Sequence, residues 1–64
     1  MRNEADIETY WERELGESVT ILARGWVHAP TDFALYIGGT FMVAFKRLGE
    51  IESWLETYFM KREA

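Results

Sequence analysis

The chain lacks cysteine altogether, and it has one proline and one histidine among its 64 residues. Without thiols it can form neither a disulfide nor a thiolate metal site, and we expect it to use no metal and no cofactor. A chain of this length builds a single small domain, whose folding buries only about 60% of the unfolded surface. We therefore expect binding or self-association to supply further stability.

Cationic residues and long apolar runs are also scarce. Seven lysines and arginines stand against eleven aspartates and glutamates, for a net charge of -4. Non-specific binding to nucleic acid requires the neutralisation of phosphates, so this balance disfavours direct nucleic-acid binding. No segment approaches the roughly 18 apolar residues of a membrane span, and the acidic start differs from a signal peptide. The sequence therefore predicts a soluble, cytoplasmic protein with no membrane partner.

Apolar side chains recur at helical spacing near both ends of the chain. The first stripe predicts a helix over residues 4–15, with Asn3 or Asp6 as its N-terminal cap and Gly16 at its C-terminal end. The second stripe predicts a helix over residues 48–62, with acidic residues in its first turn and basic residues in its last. The two stripes consist of Ile7, Tyr10, Trp11 and Leu15, and of Leu48, Ile51, Leu55, Tyr58 and Phe59.

Between the two helices the apolar pattern alternates, which is typical of strands. Residues 18–27 predict a first strand, and either of its two alternating sets of side chains could face the core. Pro30 cannot donate a hydrogen bond within a sheet, and Asp32 favours turns. Residues 28–32 therefore predict a turn after the first strand.

Residues 33–45 carry no charge and predict a hairpin around a pair of glycines. A two-residue loop would pair Ile37 with Thr40 and would spread the large side chains over both faces of the sheet. A three-residue loop of residues 38–40 would collect six large apolar side chains on one face, which would then be the core face. These side chains are Phe33, Leu35, Ile37, Phe41, Val43 and Phe45. We favour the three-residue loop, which predicts the pairs Ile37–Phe41, Leu35–Val43 and Phe33–Phe45.

Together these elements predict an α+β fold in the order α-β-β-β-α, a three-stranded antiparallel meander with two helices packed on one face. The other face then has no helix to cover it, although its side chains are mostly apolar. Because aromatic residues, methionine and arginine are enriched at interfaces, we predict that this face binds a protein partner. The alternative is that its side chains shield one another. The predicted binding residues are Leu22, Arg24, Trp26, Tyr36 and Met42.

The first predicted helix is strongly acidic, because six carboxylates fall within the first 17 residues. The ordinary explanation is a solvated helix face. The functional hypothesis is docking on a basic surface, including imitation of nucleic-acid phosphates. Under that hypothesis Glu4, Glu8 and Glu12 are partner-binding residues.

No residue pattern indicates catalysis. His28 and Asp32 flank the predicted turn, but no nucleophile or second carboxylate is placed beside them. A three-stranded sheet with two helices also leaves little room for a cleft. The glycine pair lacks the lysine of a phosphate-binding loop. We therefore predict that the protein is no enzyme, has no catalytic residue and has no small-molecule substrate.

The leading hypothesis is a small acidic protein-binding module that forms a homodimer, since two-fold symmetric oligomers are the commonest. Small size, acidity and many aromatic residues are also typical of phage or mobile-element inhibitors of host proteins that handle nucleic acid. This analogy is to a class of proteins and rests on no sequence motif. One alternative is a nucleic-acid-binding or transcriptional accessory module that uses Lys46 and Arg47. A second alternative is a structural subunit of a larger assembly. Exposed sheet edges could also join two subunits into one six-stranded sheet.

Overall fold

The computed structural model describes residues 3–26 and 28–63. Helices flank the strands in the order α1 (Glu4–Leu15), β1 (Val19–Trp26), β2 (Ala29–Ile37), β3 (Thr40–Phe45) and α2 (Leu48–Glu63). The three strands form one antiparallel sheet in the order β1-β2-β3. The predicted α+β meander is therefore confirmed. Within the described residues, neither helix is both long enough and apolar enough to cross a bilayer.

Side chains and backbone groups at both ends define α1. The Asn3 Oδ1 atom accepts a hydrogen bond from the Asp6 amide at 2.9 Å. Of the two N-terminal caps that the sequence allowed, Asn3 and Asp6, the cap is therefore Asn3. At the other end Gly16 is left-handed with φ of 71°, and its amide donates to the Glu12 carbonyl at 2.9 Å. A left-handed glycine satisfies a carbonyl that the helix leaves without a partner.

One core lies between the sheet and the two helices. Val19 and Ile21 are buried in it, which decides the face of β1 that the sequence left open. Full burial of such an aliphatic side chain contributes about 1.5–3 kcal/mol, so these strand residues and their helical neighbours dominate stability. The buried core residues are Ile7, Trp11, Leu15, Val19, Ile21, Leu35, Ile37, Ile51 and Leu55.

A two-residue loop closes the β2–β3 hairpin, so the predicted three-residue loop is wrong. Gly38 and Gly39 have φ of 59° and 81°. The tight turn that matches the twist of a hairpin requires positive φ at both central positions, which glycine adopts without strain. Ile37 therefore pairs with Thr40 and not with Phe41.

A β-bulge restores the rest of the predicted register. Tyr36 pairs with Phe41 while its neighbour Leu35 pairs with Val43, which leaves Met42 as the extra residue on β3. The bulge absorbs the one-residue difference between the two loops that the sequence allowed. The predicted pairs that are confirmed are Leu35–Val43 and Phe33–Phe45.

The turn predicted over residues 28–32 is too long, because β2 already begins at Ala29. Gly25 pairs with Pro30 in a β1–β2 hairpin that extends beyond the end of β3. Pro30 is tolerated there because this part of β2 has a neighbouring strand on one side only. Val27, the last residue of the predicted first strand, lies outside the described residues.

The C-terminal end of α2 is tied to the segment between α1 and β1. Arg62 Nη1 donates to Glu17 Oε2 at 2.6 Å, and both side chains are exposed. An exposed ion pair of this kind contributes about 0–1 kcal/mol, so it positions the helix end more than it stabilises the fold.

Candidate protein-binding surface

The face of the sheet opposite the core is the candidate surface, and we call it the open face. Its side chains come from alternate positions on the three strands, and the strand register sets them opposite one another. The two helices contribute their buried residues to the core on the other face. The open face consists of Thr20, Leu22, Arg24, Asp32, Ala34, Tyr36, Phe41 and Ala44.

Tyr36 and Phe41 form an aromatic pair on the open face. Their ring centroids lie 5.7 Å apart with the planes at 72°, an edge-to-face arrangement. Such a pair contributes about 0.5–1.5 kcal/mol beyond its buried area, so each ring holds the other in place. Phe41 nevertheless remains 52% exposed. Its predicted place in the core is wrong, because the two-residue loop and the bulge turn it to the open face.

Met42 was predicted on the open face, and this placement is wrong. As the extra residue of the bulge it turns to the other side of the sheet, where it is half-buried and packs against the core beside Val43. Met42 is therefore not part of the open face, and Phe41 occupies the place next to Tyr36 instead.

Leu22 lies on the open face as predicted and is 48% exposed. Ala34 lies opposite it, between Leu22 and Ala44, and is fully buried although it is not part of the core. Neighbouring side chains thus shield this alanine from solvent, but they do not shield Leu22 or Phe41. Trp26, at the end of β1 next to the hairpin turn, is 80% exposed.

Arg24 and Asp32 form a two-pronged ion pair on the open face, near the β1–β2 hairpin. Arg24 Nε donates to Asp32 Oδ1 at 3.0 Å, and Arg24 Nη2 donates to Asp32 Oδ2. The hydrogen bond from Arg24 lowers the pKa of the Asp32 carboxyl, and the same bond raises the pKa of Arg24. The two charges cancel, so the sheet face carries no net charge. Asp32 is thus engaged with Arg24, while His28 is exposed in the turn.

The carboxylates predicted to bind a partner through α1 are engaged within the protein in two cases. Glu8 Oε2 accepts from the Ile21 amide at 2.7 Å, and Glu12 Oε2 accepts from the Val19 amide at 3.0 Å. β1 is an edge strand, so these amides point away from β2 and have no ladder partner. Glu8 and Glu12 therefore cap the sheet edge. Glu4 lies in the first turn of α1, where a carboxylate interacts favourably with the helix dipole.

Both edges of the sheet are consequently poor templates for another strand. α1 covers part of the β1 edge through its two carboxylates. The bulge at Met42 interrupts β3, the opposite edge strand. Capped and bulged edges are the usual protection against edge-to-edge pairing. The six-stranded sheet joined through strand edges is thus disfavoured by the geometry of both edges.

A groove of 1020 Å³ lies between α1 and the N-terminal part of α2, so the expectation of little room for a cleft is wrong. Its lining carries charges of both signs. The buried Trp11 Nε1 has no hydrogen-bond acceptor among the described residues, and its ring meets Phe59 edge-on at a centroid distance of 5.9 Å. Residues that line the groove include Ile7, Trp11, Phe33, Lys46, Arg47 and Glu56.

No protein-family model, curated protein or solved structure matches the chain. Its function therefore has to be argued from its own residues. Two open-face residues were missed from the sequence, Phe41 and Asp32. A two-residue glycine turn is the signal that would have placed Phe41 correctly, because it is the commonest hairpin loop. Asp32 pairs with Arg24 across a hairpin whose second strand includes the segment predicted as a turn.

Proposed function

We propose that the chain is a small, non-enzymatic protein-binding module and that the open face is its docking surface. The observation that carries this proposal is the aromatic pair of Tyr36 and Phe41, which is held edge to face on a sheet surface opposite the core. Rigid aromatic side chains are the residues that most often dominate the binding energy of an interface.

Apolar burial supplies a driving force for docking. Leu22 and Phe41 are about half exposed, at 48% and 52%. Since full burial of such a side chain contributes about 1.5–3 kcal/mol, covering the exposed half of each gains about 1 kcal/mol. These gains offset part of the entropy cost of association.

The acidity of the chain has a second role under this proposal. Glu8 and Glu12 are occupied by backbone amides, so they act as structural caps and not as the main contact residues. The net charge of -4 still attracts a basic partner over distance and raises the rate of encounter. Inhibition of a basic, nucleic-acid-handling host protein is the form of this function that uses both the charge and the open face.

Affinity capture with matched variants tests the proposal. Tyr36→Glu places a charge in the aromatic pair, while Met60→Glu places the same charge on α2, where Met60 is 71% exposed. We expect a protein that binds the native chain to bind Met60→Glu equally well and to lose Tyr36→Glu. The captured protein, once purified, should shift the amide signals of open-face residues in an NMR titration. Equal capture by Tyr36→Glu, with shifts confined to the helices, would refute the proposal.

A further inference from the structure

We propose that the open face docks against the open face of a second copy of this chain. The product is a dimer of four layers in the order helices, sheet, sheet, helices. This inference rests on the proposed function, because it assigns an occupant to the same surface in the absence of the basic partner, which would have to displace the second copy to dock there. A two-fold axis through the two sheets lets each residue of one copy meet its counterpart in both directions.

Charge distribution favours a second copy as the occupant. The open face has one cation and one anion, Arg24 and Asp32, and they are bonded to each other. Two such faces therefore meet without like-charge repulsion and without a charge that lacks a partner. The ion pair lies near the β1–β2 hairpin and both of its side chains keep part of their surface exposed, so it can stay at the hydrated rim and avoid the cost of burial.

Face-to-face packing also keeps the acidic helices apart. α1 lies on the core side of the sheet, and in the dimer it belongs to an outer layer. Packed sheets are about 10 Å apart and a helix is about 10 Å across, so the two α1 axes are roughly 30 Å apart. This distance is several times the Debye length of about 8 Å at physiological ionic strength. The repulsion between two subunits of charge -4 is thus largely screened.

The sheet edges leave the face as the favoured route to self-association. Glu8 and Glu12 occupy the outward amides of Ile21 and Val19 on the β1 edge. The bulge at Met42 disrupts the opposite edge. A second copy that cannot extend the sheet sideways can still cover it from above.

The size of the open face sets the expected affinity. Three strands about 4.8 Å apart and about six residues long at 3.4 Å per residue present an area of roughly 15 Å by 20 Å. A standard stable interface buries about 800 Å² on each partner, which is more than the area of the open face. We therefore expect a reversible dimer with a Kd of about 1–100 µM and not an obligate one.

Sedimentation equilibrium of the full chain from about 1 µM to about 1 mM measures this affinity. We expect a monomer–dimer equilibrium that changes little with salt. Phe41→Glu should weaken the dimer at least about tenfold, while the control Met60→Glu should leave Kd within about twofold. A chain that stays monomeric over this range, or a dimer that Phe41→Glu does not weaken, would overturn the inference.

Spin labels provide a second measurement if Phe41→Glu fails to fold. The chain has no cysteine, so Thr20→Cys and Glu14→Cys each create a single labelling site, the first on the open face and the second on α1. In labelled chains that dimerise, pulsed electron resonance should give a shorter distance between the two Thr20 positions than between the two Glu14 positions. The reverse order would overturn face-to-face docking.

The outcomes separate this inference from the proposed function. A monomeric native chain that captures another protein, and loses it in Tyr36→Glu, overturns self-docking and leaves the protein-binding function intact. A monomeric chain whose capture is unaffected by Tyr36→Glu overturns both.

Discussion

Replacing Glu8 with alanine should expose the outer edge of β1 and destabilise the fold. Glu8 Oε2 accepts from the Ile21 amide at 2.7 Å in a partly buried position. A hydrogen bond to a charged group contributes about 1.5–3 kcal/mol, and water that reaches the uncovered edge recovers part of it. We expect Glu8→Ala to lower the free energy of unfolding by about 1–2 kcal/mol, out of about 3–10 kcal/mol for a chain of this length.

A series of variants separates the hydrogen bond from other effects. Glu8→Gln keeps an acceptor oxygen but loses the charge, and should cost about half as much, since charge-assisted bonds are about twice as strong as neutral ones. Glu12→Ala removes the longer bond to Val19, 3.0 Å, and should cost less than Glu8→Ala. Glu14→Ala is the matched control, because Glu14 is exposed on the same helix and has the same change in helix propensity.

Urea unfolding of each variant gives the change in stability from the transition midpoint. Hydrogen exchange gives the local effect, and the Ile21 amide should exchange faster in Glu8→Ala while amides of α2 change only as much as global stability requires. If Glu8→Ala and Glu14→Ala unfold at the same urea concentration, or if Ile21 exchange is unchanged, the edge-capping role is refuted.

Two further predictions test the backbone at glycines, and a third tests the ion pair of the β1–β2 hairpin. Gly25 has φ of 101°, and a β-carbon there would lie 2.7 Å from the backbone nitrogen of Thr31, so Gly25→Ala should destabilise by about 1–3 kcal/mol. In Gly49→Ala, within α2, the added β-carbon would meet no atom within 4 Å. This variant should be more stable than the native chain by about 0.5–1 kcal/mol in the same urea assay. If Gly25→Ala were the more stable of the two variants, the assigned backbone would be contradicted. Arg24 lowers the pKa of Asp32 in the folded chain. The ion pair therefore stabilises the fold above the ordinary aspartate pKa of about 4, and this stabilisation is lost as pH falls through the lowered pKa. An NMR titration should show the Asp32 pKa rising in Arg24→Gln, and an unchanged pKa would refute the pairing.

Elements with a strong local signal could be predicted from the sequence, and elements set by tertiary contacts could not. The bounds of α1 follow from Asn3, Gly16 and the apolar stripe between them, all of which act locally. The role of Glu8 depends on a bond to Ile21, 13 residues away, which no local pattern contains. Its carboxylate therefore looked like part of a solvated face.

The same distinction applies to the candidate site. Leu22 and Tyr36 were placed correctly on the open face because strict alternation fixes the side of the sheet. Asp32 was missed because proline and aspartate favour turns locally, whereas the pairing of Arg24 with Asp32 continues β2 into this segment. Composition alone could indicate that an uncovered apolar face exists, but not which side chains belong to it.

The bulge at Met42 explains why a chain with so small a core keeps a phenylalanine exposed. An unbroken ladder with the pair Leu35–Val43 would bring Phe41 opposite Ile37 and turn its ring to the core. The bulge lets Met42 and Val43 both contact the core and turns Phe41 to the other side, beside Tyr36. The exposure of Phe41 is therefore imposed by the backbone, since the register places Met42 and Val43 against the core. A surface aromatic that the backbone places and a second ring orients is the kind of rigid group that docking requires.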